Sequence, residues 1–216
     1  MEKWFVPEHM KILANTTVRC FGYDQSNTVN YQFNELGFRN NYNSGTSINI
    51  IGNSVAFGIG LEEQHTFGHL LSQKINLPCN NFSLGCYFHE NHDHLNNLKI
   101  LSQRDTDDIF VVQINNLDRY RVDDNTVITA PRPEFGRKRF LEYFDQLLEL
   151  TAGRRTMLLY WDDQEHNLPK SILDQILIFN KFHLDHSINS NTDTFGPRSH
   201  NAIAKTLASL YLSKLN

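Results

Sequence analysis

Six consecutive residues, Ile109-Phe110-Val111-Val112-Gln113-Ile114, constrain this chain more than any others. A run so nearly continuous in hydrophobicity cannot keep one face wet. It reads as a strand buried on both faces, which is the habit of parallel sheets covered by helices. Shorter apolar runs repeat the theme: Ser47-Ile48-Asn49-Ile50-Ile51 stops at Gly52, Asn81-Phe82-Ser83-Leu84 stops at Gly85, and Thr156 to Trp161 forms a fourth. Phe182-His183-Leu184-Asp185 is a candidate fifth strand. Between them, Phe67, Leu70, Leu71 and Ile75 recur at helical spacing, as do Leu95, Leu98 and Leu101. Helices are also expected over 137–150, 169–180 and 199–212. Strands alternating with helices imply a parallel sheet with helices on both faces. Residues 1–45 read as an irregular lead-in holding a short strand or two, and the polar stretch with Pro131, Pro133 and Gly136 reads as a long loop of the kind that forms lids.

At 216 residues the chain fits one ordinary domain spanning 1–216. With 40% hydrophobic residues, a packed core is expected rather than disorder. A net charge of -4 offers no general field for a phosphate backbone, so nucleic acid is a poor partner. No apolar run approaches the roughly 18 residues of a membrane span. The first nine residues lack the apolar core of a secretory signal. Cys20, Cys79 and Cys86 form no Cys-x-x-Cys pair, which points to a reducing, cytoplasmic setting.

In a parallel sheet the site lies beyond the carboxyl ends of the strands. Three strands here end in small polar clusters: Gly52-Asn53-Ser54, Gly85-Cys86 and Asn115-Asn116. A serine at a strand-to-helix turn presents its hydroxyl beside backbone N–H groups. A nearby Gly and Asn add further donors, and an oxyanion hole gains roughly 3–4 kcal/mol per donor in the transition state.

The segment Ile51-Gly52-Asn53-Ser54-Val55-Ala56-Phe57-Gly58-Ile59-Gly60 resembles the first block of the SGNH/GDSL hydrolase superfamily. Thr66-Phe67-x-x-Leu70-Leu71, Asn81-Phe82-Ser83-Leu84-Gly85 and the upstream Asn34-Glu35-Leu36-Gly37-Phe38-Arg39 fit the same family. The resemblance is strongest over 31–86. It implies a three-layer α/β/α sandwich with a mainly parallel, flavodoxin-like sheet. It also implies ester hydrolysis or acyl transfer through a serine nucleophile, without metal or cofactor. By position, Ser54 is the nucleophile, Gly85 the second oxyanion donor, and Asn115 or Asn116 the third. Asn53 stands where the family name-motif has Asp.

The C-terminal block departs from the pattern. The family carries Asp-x-x-His before its last helix, and the corresponding segment here is Asn191-Thr192-Asp193-Thr194-Phe195-Gly196-Pro197-Arg198-Ser199-His200. In one register Thr194 occupies the base position and Asn191 the Asp position; with Asp193 aligned instead the base position is Gly196, and neither register puts a His there. His200, with Asp193 as its partner, is the expected base, and His183 and His186 are rivals. Asn53 and Arg119 are expected to face substrate. Arg119, Arg121, Arg132, Arg137, Lys138 and Arg139 make the exit of the third strand basic, which suits an anionic or carrier-linked acyl substrate, with Tyr120, Phe135 and Tyr143 as an aromatic wall. The cluster His89-Glu90-Asn91-His92-Asp93-His94 lacks the spacing of a standard zinc site. It reads better as the opening of a helix beside the site or as part of the substrate pocket's lining. The expected partner is a small-molecule ester or a carrier-linked acyl group. The contrasting expectation is a ligand- or partner-binding protein that keeps the fold and has lost hydrolysis.

Overall fold

The run at 109–114 forms the middle strand of a five-stranded, all-parallel sheet. The computed structural model describes residues 8–23, 27–85, 91–115, 119–123, 126–129, 133–160, 170–173, 175–178, 185 and 195–213. The lead-in holds a one-turn helix α1 (Glu8–Lys11) and an antiparallel hairpin, β1 (Thr17–Phe21) with β2 (Thr28–Gln32). The sheet begins at β3 (Ile48–Ile51), followed by α2 (Ser54–Phe57), α3 (Phe67–Ile75) and β4 (Cys79–Asn81). Next come α4 (Leu95–Ser102), β5 (Ile109–Ile114), a second hairpin of β6 (Arg119–Asp123) and β7 (Thr126–Thr129), and α5 (Pro133–Thr151). Then follow β8 (Arg155–Tyr160), α6 (Lys170–Leu173), β9 (Ile176–Ile178) and α7 (Pro197–Ser213).

The strand order is β4-β3-β5-β8-β9. The chain steps outward from β3 to β4, then crosses back to lay β5 on the other side of β3. Counted by strands of this sheet the order is 2-1-3-4-5, the flavodoxin-like arrangement. Its crevice opens between the carboxyl ends of β3 and β5, where the winding direction reverses.

All six residues of β5 are buried, and the pleat sorts them. Ile109 and Val111 join Met157 and Leu159 of β8 beneath α3 and α7, against Phe67, Leu71, Ile203, Ala204 and Leu207. Phe110, Val112 and Ile114 join Leu158 and Tyr160 on the opposite face. There they meet Leu98 and Leu101 of α4, Phe140, Tyr143, Phe144 and Leu147 of α5, and Tyr31, Phe33 and Phe38 of the lead-in. Helices thus cover both faces, giving a three-layer α/β/α sandwich.

The differences from expectation are local. The β4 ladder starts at Cys79 rather than Asn81, yet the chain stays beside β3 to Leu84, whose N–H donates to Gly52 O at 2.8 Å. The expected helix over 169–180 ends at Leu173, and Ile176-Leu177-Ile178 becomes the edge strand. The rival strand 182–185 lies outside the described residues except for Asp185. The polar stretch after β5 is not one long loop. It carries the β6–β7 hairpin, and α5 begins at Pro133, where proline suits a first helical turn.

Candidate functional site

Ser54 is the first residue of α2, directly past the carboxyl end of β3, and is half-buried. The turn that presents it is held by a residue 60 positions away. Gln113 is the one polar side chain in the buried run of β5, and a buried amide must find partners. Its Oε1 accepts from the backbone N–H of Asn53 at 3.2 Å and of Ala56 at 2.9 Å. The second of these is an N-terminal helix amide that would otherwise lack an acceptor. Gly52 permits the approach, since a Cβ there would lie 2.6 Å from Gln113 Cβ and 2.7 Å from Ala56 Cβ.

The other end of α2 is fixed by the lead-in. Asn34 Oδ1 accepts from the N–H groups of Leu36 and Phe38, turning the chain through Gly37 at φ 85°. This aims Arg39 inward, where it is 1% exposed. Its guanidinium donates to the carbonyls of Phe57, Gly58 and Leu61. It also lies 4.5 Å from the Tyr31 ring centroid and 5.3 Å from that of Phe57. Burial pulls its pKa down to about 10, so it remains a cation, placed where the carbonyl end of a helix favours positive charge. Asn81 Nδ2 donates to Ala56 O at 3.0 Å. The Asn-x-x-Gly-Phe-Arg lead-in therefore clamps the serine-bearing turn from behind.

Gly85 and Asn115 end the strands on either side of β3. Leu84 still pairs with Gly52, so Gly85 comes level with the Asn53–Ser54 turn. A Cβ at Gly85 would meet the Phe57 ring at 3.0 Å. Phe57 is itself wedged by Tyr31, with ring centroids 5.3 Å apart and edge to face. Asn115 follows β5 directly and is buried. Asn116 lies outside the described residues, as do Asp193, His183 and His186. Arg119 opens β6, with its side chain outside the description.

Two expectations about side chains are corrected. Asn53 does not face a substrate: it is 1% exposed, and its Oδ1 accepts from His94 Nε2 at 2.8 Å. Tyr143 is no pocket wall, since it is fully buried in the core under α5, and burial alone pushes its phenol pKa far up. Phe135 is exposed, with Arg139 5.8 Å from its ring centroid, and Arg137 and Lys138 are solvated. His92 and His94 fall in a 3-10 turn (Asn91–His94) that leads straight into α4, the helix-opening role read from the sequence.

His200 sits in the first turn of α7 and is 1% exposed. Its Nδ1 accepts from the Phe67 N–H at 2.9 Å, and its ring stacks on that of Phe67 at 5.6 Å. The imidazole thus caps the start of α3, and the proton of the neutral ring resides on Nε2. Burial, with the nearby Arg39 charge, lowers its pKa to about 3. This geometry does not suit the general-base role expected of it. A base must offer a free nitrogen lone pair to the serine hydroxyl and gain a proton during reaction. Among the described residues, the carboxylate whose charge acts on it is Asp185; Asp193, the expected partner, lies outside the description. Asp185 accepts from the N–H groups of Arg198 (2.9 Å) and Ser199 (2.8 Å) and from Ser199 Oγ–H (2.6 Å), capping α7. Gly196 makes room for it, as a Cβ there would lie 2.4 Å from Asp185 Oδ2.

Gln113, Arg39, His94 and Asp185 were not singled out as site residues from sequence. Gln113 did carry a signal, as a lone polar residue in a buried strand. Arg39 lay in the lead-in whose purpose the sequence left unstated.

No family model and no curated protein matches the chain. Among solved structures it is similar to a protein assigned to the G-D-S-L lipolytic family from Desulfitobacterium hafniense DCB-2. The TM-score is 0.50 at 12% identity, covering 77% of this chain and 99% of that one. A G-D-S-L lipolytic family member from Veillonella parvula DSM 2008 follows at TM-score 0.49 and 10% identity, covering 78% and 99%. A carbohydrate esterase family 2 enzyme with a carbohydrate-binding domain, from Corynascus thermopiles (Myceliophthora fergusii), matches at 0.47 and 10%, covering 88% and 71%. The first likeness is one of fold, and this chain has an SGNH hydrolase-like fold. No helix among the described residues is long and apolar enough to cross a membrane.

Proposed function

We propose that the protein cleaves a small acyl ester, an O-acetyl ester being the simplest case, by attack of Ser54 on the acyl carbonyl. The observation that carries this reading is the position of Ser54. It starts a helix at the carboxyl end of β3, beside the crevice where the winding reverses, with Gly85 and Asn115 at the ends of the flanking strands. The developing oxyanion would be met by the backbone N–H groups of Ser54 and Gly85 and by an Asn115 side-chain N–H. The period of two along β5 puts Asn115 on the same face as Gln113, whose side chain reaches α2. The turn is fixed by Gln113 and Arg39 before any substrate arrives, and such preorganisation is what makes oxyanion donors effective. His200 remains a cap in this reading, and the serine proton passes to His183 or His186, which flank Asp185 in the chain.

A second reading is favoured by the engaged Nδ1 of His200 and by Thr194 at the usual base position. In it, the crevice binds an acyl-bearing ligand or partner without cleaving it. One experiment separates the two. The purified protein is treated with an alkyl fluorophosphonate and assayed on p-nitrophenyl acetate beside Ser54→Ala, His183→Gln, His186→Gln and His200→Gln. The hydrolase reading expects labelling and turnover that vanish in Ser54→Ala. It also expects a fall of roughly a hundredfold or more in one of the two rival histidine variants, the lower range of general-base contributions. A folded parent protein that neither labels nor turns over moves the conclusion to the binding protein.

A further inference from the structure

We infer that His94 is a positioning residue for Ser54, acting through Asn53; this rests on the reading of Ser54 as nucleophile. An Asn just before a helix ordinarily turns its side-chain oxygen onto an amide of that helix's first turn. Asn53 does not, and its side chain makes no capping bond. The amide it would serve, that of Ala56, is already taken by Gln113 Oε1 at 2.9 Å. Capping in trans by Gln113 leaves the Asn53 oxygen to be used elsewhere, and it is used on His94 Nε2 at 2.8 Å. Both partners are 1% exposed, so water does not compete for the bond. A carbonyl oxygen only accepts, so Nε2 donates.

The consequence is a residue held from two sides. The backbone N–H of Asn53 is tied to β5 through Gln113, and its side chain is tied to the turn before α4 through His94. Together these fix the backbone of residue 53 at φ -108° and ψ -142°. That ψ sets the direction of the next peptide, hence of the Ser54 N–H and the start of α2. His94 is itself rigidly mounted, since α4 buries Leu95, Leu98 and Leu101 in the aromatic face of the core. This turn is the next described element after Gly85, and through His94 it ties the start of α4 to the serine-bearing turn. The histidine cluster, unexplained as a metal site, acquires a role by which one member aims the nucleophile without touching substrate.

The test measures the second-order rate of fluorophosphonate labelling, with kcat and KM on p-nitrophenyl acetate, in the full chain. Losing one buried hydrogen bond to the turn should slow labelling of His94→Ala about tenfold, in kcat rather than KM. His94→Gln keeps an N–H donor toward Asn53 and should recover to within about threefold of the parent. Asn53→Ala should match His94→Ala, and the double variant should be no slower than either, as members of one interaction are not additive. A folded His94→Ala that labels at the parental rate overturns the inference, as do losses that multiply in the double variant. Should His94→Ala fail to fold by circular dichroism, Asn53→Ala decides, a tenfold loss supporting the inference and the parental rate overturning it. If the parent itself does not label, the nucleophile reading has failed, and the inference falls with it.

Discussion

The starts of α2 and α7 are built alike and end up doing different things. Each has a glycine that lets another side chain come close, Gly52 for Gln113 and Gly196 for Asp185. At each, that side chain accepts from two backbone amides at the start of the new helix, those of Asn53 and Ala56 in one case and of Arg198 and Ser199 in the other. At α2 the capping group is neutral and fully inside the fold, and the serine it supports stays half-buried at the crevice. At α7 the capping group is a half-exposed carboxylate, and the histidine one turn on is turned inward to cap a third helix. The same device serves presentation in one place and closure in the other. A helix start keeps a polar side chain accessible only while no neighbour claims its polar atoms.

The sharpest way to break this comparison is Gln113→Leu. The substitution leaves the amides of Asn53 and Ala56 inside the fold without their acceptor. At about 1–3 kcal/mol per buried unsatisfied group, stability should drop by roughly 2–4 kcal/mol in urea unfolding, since the two amides can relax together. Any protein that remains folded should also label more slowly at Ser54. Parental stability would mean that Gln113 is not what holds the turn.

His200→Gln tests the other side. The folded pKa of His200, about 3, lies below its ordinary 6.5 because burial disfavours the imidazolium. The unfolded chain therefore takes up a proton below pH 6.5 that the folded chain refuses. Its contribution is fully present above 6.5 and is lost as pH falls toward 3, at up to about 1.4 kcal/mol per pH unit. His200→Gln removes this slope while keeping an oxygen to accept from Phe67 N–H, and Ser54 labelling should stay at the parental rate. A loss of labelling in a folded His200→Gln would restore His200 as the base.

What the sequence disclosed and concealed follows the same divide. The parallel sheet was legible because burial on both faces leaves an unbroken apolar run, as in β5 and β8. The places of Ser54 and Gly85 at strand ends were legible because their signals are local. The edge strand β9 was concealed, since Ile172 to Ile178 is apolar enough to read as either element, and the break after Leu173 has no Gly or Pro to mark it. Arg39, Gln113 and His94 act on residues 18 to 60 positions away, and no spacing rule reaches that far. The cap made by His200 was hidden for a related reason. A motif gives the position of an imidazole and says nothing of which nitrogen the fold has already engaged.

Asp185→Asn should have the smallest effect, and its pH profile distinguishes the two ends of the comparison. Burial works to raise the Asp185 pKa, but the Ser199 hydroxyl, the amides of Arg198 and Ser199, and the Arg198 charge outweigh it, so the group lies below its ordinary 3.8. The stability it contributes is present above that value and lost as pH falls through the lower folded one. An Asn at this place keeps an oxygen for one or two of the three donors and gives up only the charge. Because the site is half-exposed and solvent-screened, the loss near neutral pH should stay under about 1 kcal/mol. Between pH 6.5 and 4 the slope should match the parent's, because that slope belongs to His200. The Asp185 charge works to raise the His200 pKa, so removing it leaves the imidazole at least as reluctant to take a proton. If Asp185→Asn instead erases the slope at pH 5, the acid sensitivity comes from the carboxylate cap, and the inward-turned histidine has been given too large a part in closing this end of the fold.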